Sequence, residues 1–90
     1  MMRYNGGMYF LYILRCADDT LYTGIATDVV RRVAEHNTSP RGAKYTHARR
    51  PVMLVYTKKF RTRSAASKAE YKMKQLSREE KILLVQSWVA

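Results

Sequence analysis

The chain of 90 residues holds a single cysteine, two prolines, four glycines and one tryptophan, with 7 Asp+Glu against 17 Lys+Arg. A lone thiol, Cys16, closes no internal disulfide, which disfavours a secreted disulfide scaffold and a zinc module alike. Long apolar runs are also missing. The longest, Met8 to Leu14 and Val52 to Tyr56, fall far short of the ~18 residues that a transmembrane helix needs. The opening segment from Met1 to Gly7 lacks an apolar stretch followed by small residues, so no signal peptide is expected and a cytoplasmic location is. With so little Pro and Gly there is no linker, repeat or low-complexity segment, and residues 8–88 are expected to form one domain behind a flexible stretch 1–7.

The scarcity of acids leaves a net charge of +10 and a pI of about 10.1. A domain this small buries only about two thirds of its unfolded surface, and like charges weaken it further. A cationic surface kept at that cost points to a polyanion, with nucleic acid first and an anionic membrane surface behind it. Between Glu35 and Glu79 lie twelve basic residues and one acid, Glu70. A solvated basic face is the plain alternative.

Residues 8–16 form a run of aromatic and branched residues, Asp18-Asp19-Thr20 signals a turn, and Leu21 to Ala26 returns as the second strand of a hairpin. Thr27 is placed to cap a helix beginning at Asp28, with Val30, Val33 and Ala34 at core spacing and an end near Asn37. Residues 38–51 read as a polar, basic loop. Val52 to Thr57 predicts a third strand, and Ser64 a second helix with Ala66, Ala69, Met73 and Leu76 inward. Ser77 followed by Glu80 fits a capping box for a third helix carrying Ile82, Leu83, Val85 and Trp88. The class is α+β, ordered β-β-α-β-α-α, with a three-stranded mixed or antiparallel sheet flanked by three helices.

Five segments in order then carry a resemblance: Tyr-Ile-Leu-Arg-Cys (12–16), Leu-Tyr-Thr-Gly-Ile (21–25), Arg-Arg-Val-Ala-Glu-His-Asn (31–37), Lys-Tyr-Thr (44–46) and Arg-Arg-Pro (49–51). With Glu70 on the later helix, this pattern resembles the GIY-YIG nuclease superfamily, and within it the small stand-alone bacterial UPF0213 or YhbQ-like branch. The likeness runs from Met8 to about Gln86. Phe10 and Leu11 stand where the superfamily name has Gly and Ile, Thr23 stands for Ile, and Ile25 stands where some members carry a lysine.

The resemblance implies roles for particular residues. Tyr12 would take a proton from water, which requires neighbouring cations to lower a phenol pKa from near 10. Tyr22 would orient that water or touch the phosphate, and Gly24 would let substrate approach the sheet. Arg32 would stabilise charge on the phosphorus, with Arg31 beside it and His36 bonding the phosphate or the base. Glu70 would hold one Mg²⁺ or Mn²⁺, with water and phosphate oxygens completing the shell. Read from the residues alone, the tyrosines are core, the arginines solvated, and Glu70 an i,i+4 partner of Lys74.

Two local expectations belong to the hairpin and the basic loop. A three-residue loop, Asp18 to Thr20, would put Tyr12 and Tyr22 on one face, roughly 13 Å apart at ~3.3 Å per residue, unless a bulge brings them closer. Lys44, Tyr45, Arg49 and Arg50, with His47, would bind nucleic acid by pairing cations with stacking rings. The expected function is a metal-dependent endonuclease cleaving DNA with low sequence specificity, in repair or processing. Single-stranded or branched DNA is the expected partner, RNA remains open, and no membrane is involved. The alternatives are a nucleic-acid-binding module with negligible turnover, or a basic protein–protein adaptor.

Overall fold

A strand that is apolar on consecutive residues, without alternation, has to be covered on both faces. The computed structural model describes residues 8–88, so the stretch 1–7, expected to be flexible, lies outside the described residues. In it β1 (Tyr9–Arg15) is the centre of a three-stranded sheet ordered β2-β1-β3, with β2 (Leu21–Ala26) and β3 (Met53–Phe60) both antiparallel to it. Leu11, Tyr12, Ile13 and Leu14 are all buried. Leu11 and Ile13 join Val55 and Met73 on one face, under α3 (Arg63–Gln75) and α4 (Arg78–Ser87). Tyr12, Leu14 and Cys16 join Val52 on the other, with Val29 and Val33 of α1 (Val29–Thr38) packed against them.

The architecture is the expected one with an added helical turn. A fourth helix, α2 (Lys44–His47), lies inside the segment read as a loop. A single turn offers no repeating apolar stripe, so periodicity could not reveal it. The helix starts move by a residue. Asp28, with extended backbone, caps α1 in place of Thr27, accepting from the Arg31 amide at 3.1 Å. Thr62 caps α3, accepting from the Ala65 amide at 3.0 Å, so the helix begins at Arg63 rather than Ser64. The Ser77–Glu80 capping box of α4 is present in both halves. β3 runs three residues past its expected end, and a register shift beside Ile13 and Leu14 accommodates its pairing.

Candidate active site

Hairpin register decides what the two tyrosines can do together. The Cys16 amide donates to the Thr20 carbonyl at 2.8 Å and the Asp19 amide to the Cys16 carbonyl at 2.9 Å, with Asp19 at φ 69°. This is a three-residue loop, a turn followed by a left-handed residue, but it comprises Ala17 to Asp19, one residue earlier than expected. Tyr12 therefore faces Gly24, and Leu14 faces Tyr22. Tyr12 and Tyr22 share a face as expected, but are offset by two residues along the strands, roughly 7 Å at ~3.3 Å each. The expected separation of four residues is corrected to two because the loop of the same length sits one residue earlier.

Gly24 serves Tyr12 rather than an incoming ligand. A Cβ at Gly24 would lie 2.6 Å from the Tyr12 oxygen and 2.7 Å from its Cζ. The phenol fills the space that was expected to admit substrate.

His36, on α1, is fully buried and meets both tyrosines. Its Nε2 lies 2.9 Å from Tyr12 Oη, and its ring stands edge-on to Tyr22 with centroids 5.2 Å apart. Direct contact with a phosphate is closed to it, leaving Tyr12 as its partner. On the far side, Nδ1 receives the Ala43 amide at 3.3 Å and lies 2.8 Å from Thr46 Oγ1. The Thr46 hydroxyl is also 2.9 Å from the Ala43 carbonyl oxygen, which already accepts the Thr46 and His47 amides at 3.1 Å each. An amide can only donate, so Nδ1 is the acceptor and the ring proton sits on Nε2, donated to Tyr12. Burial, reinforced by the Arg32 charge, pushes the His36 pKa down to about 4, so the ring is neutral at pH 7.

Tyr12 departs from expectation in its acidity. Burial pushes its pKa up to about 12, with the Tyr22 and Glu70 charges adding to the rise, while the nearby Arg32 guanidinium pulls the other way. The surrounding cations were expected to lower it, but burial of an anion outweighs a single half-buried guanidinium. Arg32 is held in place: its Nη1 donates to Glu35 Oε1 at 2.9 Å and to the Arg41 carbonyl at 2.8 Å. The other oxygen of Glu35 pairs with Arg31 Nε at 3.3 Å. Glu35 thus braces both arginines, a role its i,i+3 and i,i+4 spacing encodes.

Glu70 is half-buried on α3, which packs on β1 and β2, and its Oε2 lies 3.3 Å from Lys74 Nζ. Its charge reaches Tyr12. Among the described residues no group of three or more His, Cys, Asp or Glu could hold a metal ion. A single carboxylate fits only an ion that keeps most of its shell as water and substrate oxygens, which is the habit of magnesium; Lys74 now supplies the opposing charge.

The basic loop is largely occupied within the molecule. Arg50 donates from Nε to the His36 carbonyl at 2.5 Å and from Nη2 to the Ser39 carbonyl at 2.6 Å, closing the C-terminal end of α1. Arg49 bonds Asp18 Oδ2 at 3.0 Å and the Tyr45 carbonyl at 2.9 Å, and its guanidinium lies 4.0 Å from the Tyr45 ring centroid. Tyr45 in turn stacks beside Tyr22 at 5.9 Å. Lys44 is exposed. Thr46 and Arg63 carry parts of the site that had no expectation attached. The first was visible as the end of the Lys-Tyr-Thr segment, and the second had no signal beyond its charge. Arg63 lines a cleft of about 330 Å³ with Arg31, Arg32 and Glu35.

Residues 8–82 match the family model described as the GIY-YIG catalytic domain. The UPF0213 protein DP2720 of Desulfotalea psychrophila is 58% identical over 79 residues, covering 88% of this chain and 72% of that protein. A UPF0213 protein of Natronomonas pharaonis is 53% identical over 77 residues, covering 86% of this chain and 89% of its own. Two solution structures are similar. The UPF0213 protein BH0048 from Bacillus halodurans has a TM-score of 0.57 at 46% identity, covering 88% of this chain and 83% of the other. The protein EF2693 from E. faecalis has a TM-score of 0.62 at 41% identity, covering 92% and 88%.

Proposed function

This chain belongs to the GIY-YIG catalytic-domain family, a family of nucleases, and from that premise we propose that it is a metal-dependent endonuclease that hydrolyses phosphodiester bonds in DNA with little sequence preference, in repair or processing. The observation that carries the reading is the convergence on one phenol oxygen: His36 Nε2 at 2.9 Å, Arg32 beside it, and the Glu70 charge within range.

In this reading the neighbours of the Tyr12 oxygen, His36 and Arg32, both present N–H groups to it, so neither takes its proton. Two donors aimed at an oxygen favour its anion, and the phenolate takes a proton from the attacking water as the new P–O bond forms. The bond from phosphorus to the 3′ oxygen breaks, that oxygen leaves as an alkoxide and takes a proton from solvent water to become a 3′ hydroxyl, and the protonated Tyr12 returns its proton to solvent. Arg32, rigid between Glu35 and the Arg41 carbonyl, stabilises the charge gathering on the phosphoryl oxygens. Tyr22, half-buried over His36, orients the water. Held by Glu70, one Mg²⁺ or Mn²⁺ would stabilise the departing oxygen as a Lewis acid and reverse the sign of the charge that this residue exerts on Tyr12.

The test is incubation with single-stranded, nicked and branched DNA, with and without Mg²⁺ or Mn²⁺. Cleavage is expected only with the ion, lost in Tyr12→Phe and Glu70→Ala, with DNA binding retained in Glu70→Ala. Full metal-dependent cleavage by Glu70→Ala refutes the metal assignment. One pair of observations favours the second reading, a nucleic-acid-binding module with negligible turnover: the Tyr12 pKa of about 12 and the pairing of Glu70 with Lys74. Binding without cleavage under every ion condition decides for it.

A further inference from the structure

Arg49 and Arg50, the cations expected to grip the nucleic acid, are bonded to Asp18 and to backbone carbonyls. The grip has to come from cations that are free. Arg63 is exposed and has no hydrogen bond or ion pair among the described residues. It is the first residue of α3, and it lines the cleft of about 330 Å³ into which Arg31 and Arg32 also project.

We propose that this cleft is a second phosphate subsite, in which Arg63 and Arg31 hold a phosphodiester of the nucleic-acid strand next to the one bound at Arg32 and Glu70. The proposal rests on the nuclease reading above and adds to it the place where the flanking strand is held.

Three features of the cleft support this. Its charged lining is three guanidiniums, Arg31, Arg32 and Arg63, against two carboxylates, Asp28 and Glu35, an excess of positive charge that Arg32 shares with the neighbouring phosphate. Both carboxylates are already used, Asp28 as the cap of α1 and Glu35 between Arg31 and Arg32. Arg31 meets Glu35 through Nε, which leaves its Nη groups to a phosphate, and Arg63 offers a whole fork. Finally, Arg63 and Glu70 stand seven residues apart on α3, two turns and about 11 Å along one side of the helix. A strand bound at Glu70 and continuing along α3 therefore passes Arg63. Tyr9, Ile25, Ala26 and Thr27 complete the lining.

The test is DNA binding measured by fluorescence anisotropy in EDTA across a salt series, so no turnover is involved. Removing one phosphate contact lowers the slope of log K against log salt by about 0.7 for a single strand to 0.9 for a duplex, and weakens binding about five- to eightfold at 0.1 M salt. Arg63→Ala is expected to show that loss. Lys81→Ala, which removes an equal charge on α4, is expected to keep the wild-type slope. An unchanged slope in Arg63→Ala, or equal losses in both variants, overturns the subsite. Failure of the wild-type protein to bind DNA at all overturns the nucleic-acid reading itself. Inorganic phosphate is a second arm: millimolar phosphate that protects the cleft but displaces no DNA would assign it to a free anion and refute the strand subsite.

Discussion

Gly24→Ala distinguishes a glycine that makes room for Tyr12 from one that makes room for substrate. The added Cβ would lie 2.6 Å from Tyr12 Oη, 2.7 Å from Cζ and 3.2 Å from Cε2. Carbon atoms pack at ~3.5–4.0 Å, so the ring has to retreat by roughly an ångström. It has nowhere to go, because Tyr12 is 1% exposed on the central strand. Overpacking of this kind costs ~1–3 kcal/mol. Drawing the oxygen away from His36 Nε2, now at 2.9 Å, also leaves a buried donor unsatisfied, at ~1–3 kcal/mol. A combined loss of about 3 kcal/mol lowers Tm by roughly 12–24 °C for a domain of this size. Thermal and urea unfolding followed by circular dichroism measure it. Tyr12→Phe in the same background is expected to recover only part of the loss, because Cζ remains in the way. Wild-type stability in Gly24→Ala, with DNA affinity alone reduced, would refute the packing role and restore the substrate-approach explanation.

Three further perturbations probe the network around that phenol. Thr46→Val removes a hydroxyl from beside His36 Nδ1 but leaves the Ala43 amide donating to it; long-range proton–nitrogen NMR is expected to show protonated Nε2 in the wild type and in Thr46→Val alike. A wild-type ring protonated on Nδ1 refutes the assignment. Arg50→Ala is expected to destabilise by about 2 kcal/mol, through the loss of charge-assisted bonds to the α1 carbonyls, while shifting the salt slope of DNA binding less than Arg63→Ala does; a purely binding phenotype at full stability contradicts this. The pH dependence has two arms. His36 has a folded pKa of about 4 against ~6.5 unfolded, so the unfolded state binds more protons between these values and stability falls as pH drops from about 6.5 to 4, by up to about 3 kcal/mol. Tyr12, raised to about 12 from ~10 unfolded, contributes stability that is lost as pH rises from 10 to 12. Urea midpoints unchanged between pH 7 and 4.5 contradict the His36 arm.

The parts of the fold legible in advance were those set by local chemistry. The double-sided apolar run of β1 marks a central strand, and the Ser77–Glu80 box is a short-range pattern complete in itself. Boundaries slipped where two neighbouring residues could both cap, as with Thr27 and Asp28, and only backbone conformation chooses between them. The site was legible as a set of residue types but not as a circuit. That Tyr12 faces Gly24 depends on a one-residue difference in loop position, which exchanges every cross-strand neighbour. That Arg49 and Arg50 are bonded inward depends on where the 38–51 segment folds back, a non-local fact with no trace in charge patterning.

The disagreement between Tyr12 and its expected acidity bears on how such a site can work. A phenol buried to 1% exposure cannot ionise cheaply, and one guanidinium does not offset the desolvation. Glu70 makes matters worse while its charge stands uncompensated, since it raises the Tyr12 pKa. Any cation that neutralises Glu70 therefore lowers the cost of ionising Tyr12, and Lys74 at 3.3 Å supplies only part of that. A divalent ion supplies more, and a phosphate anion arriving without one supplies the opposite. In the proposed nuclease reading, an ion held at Glu70 would thus ease the ionisation of Tyr12. Phenolate absorbance near 295 nm, titrated with and without Mg²⁺ or Mn²⁺, is expected to shift to lower pH with the ion in the wild type but not in Glu70→Ala. An identical titration in both would separate Glu70 from Tyr12 and leave the carboxylate as nothing more than the partner of Lys74.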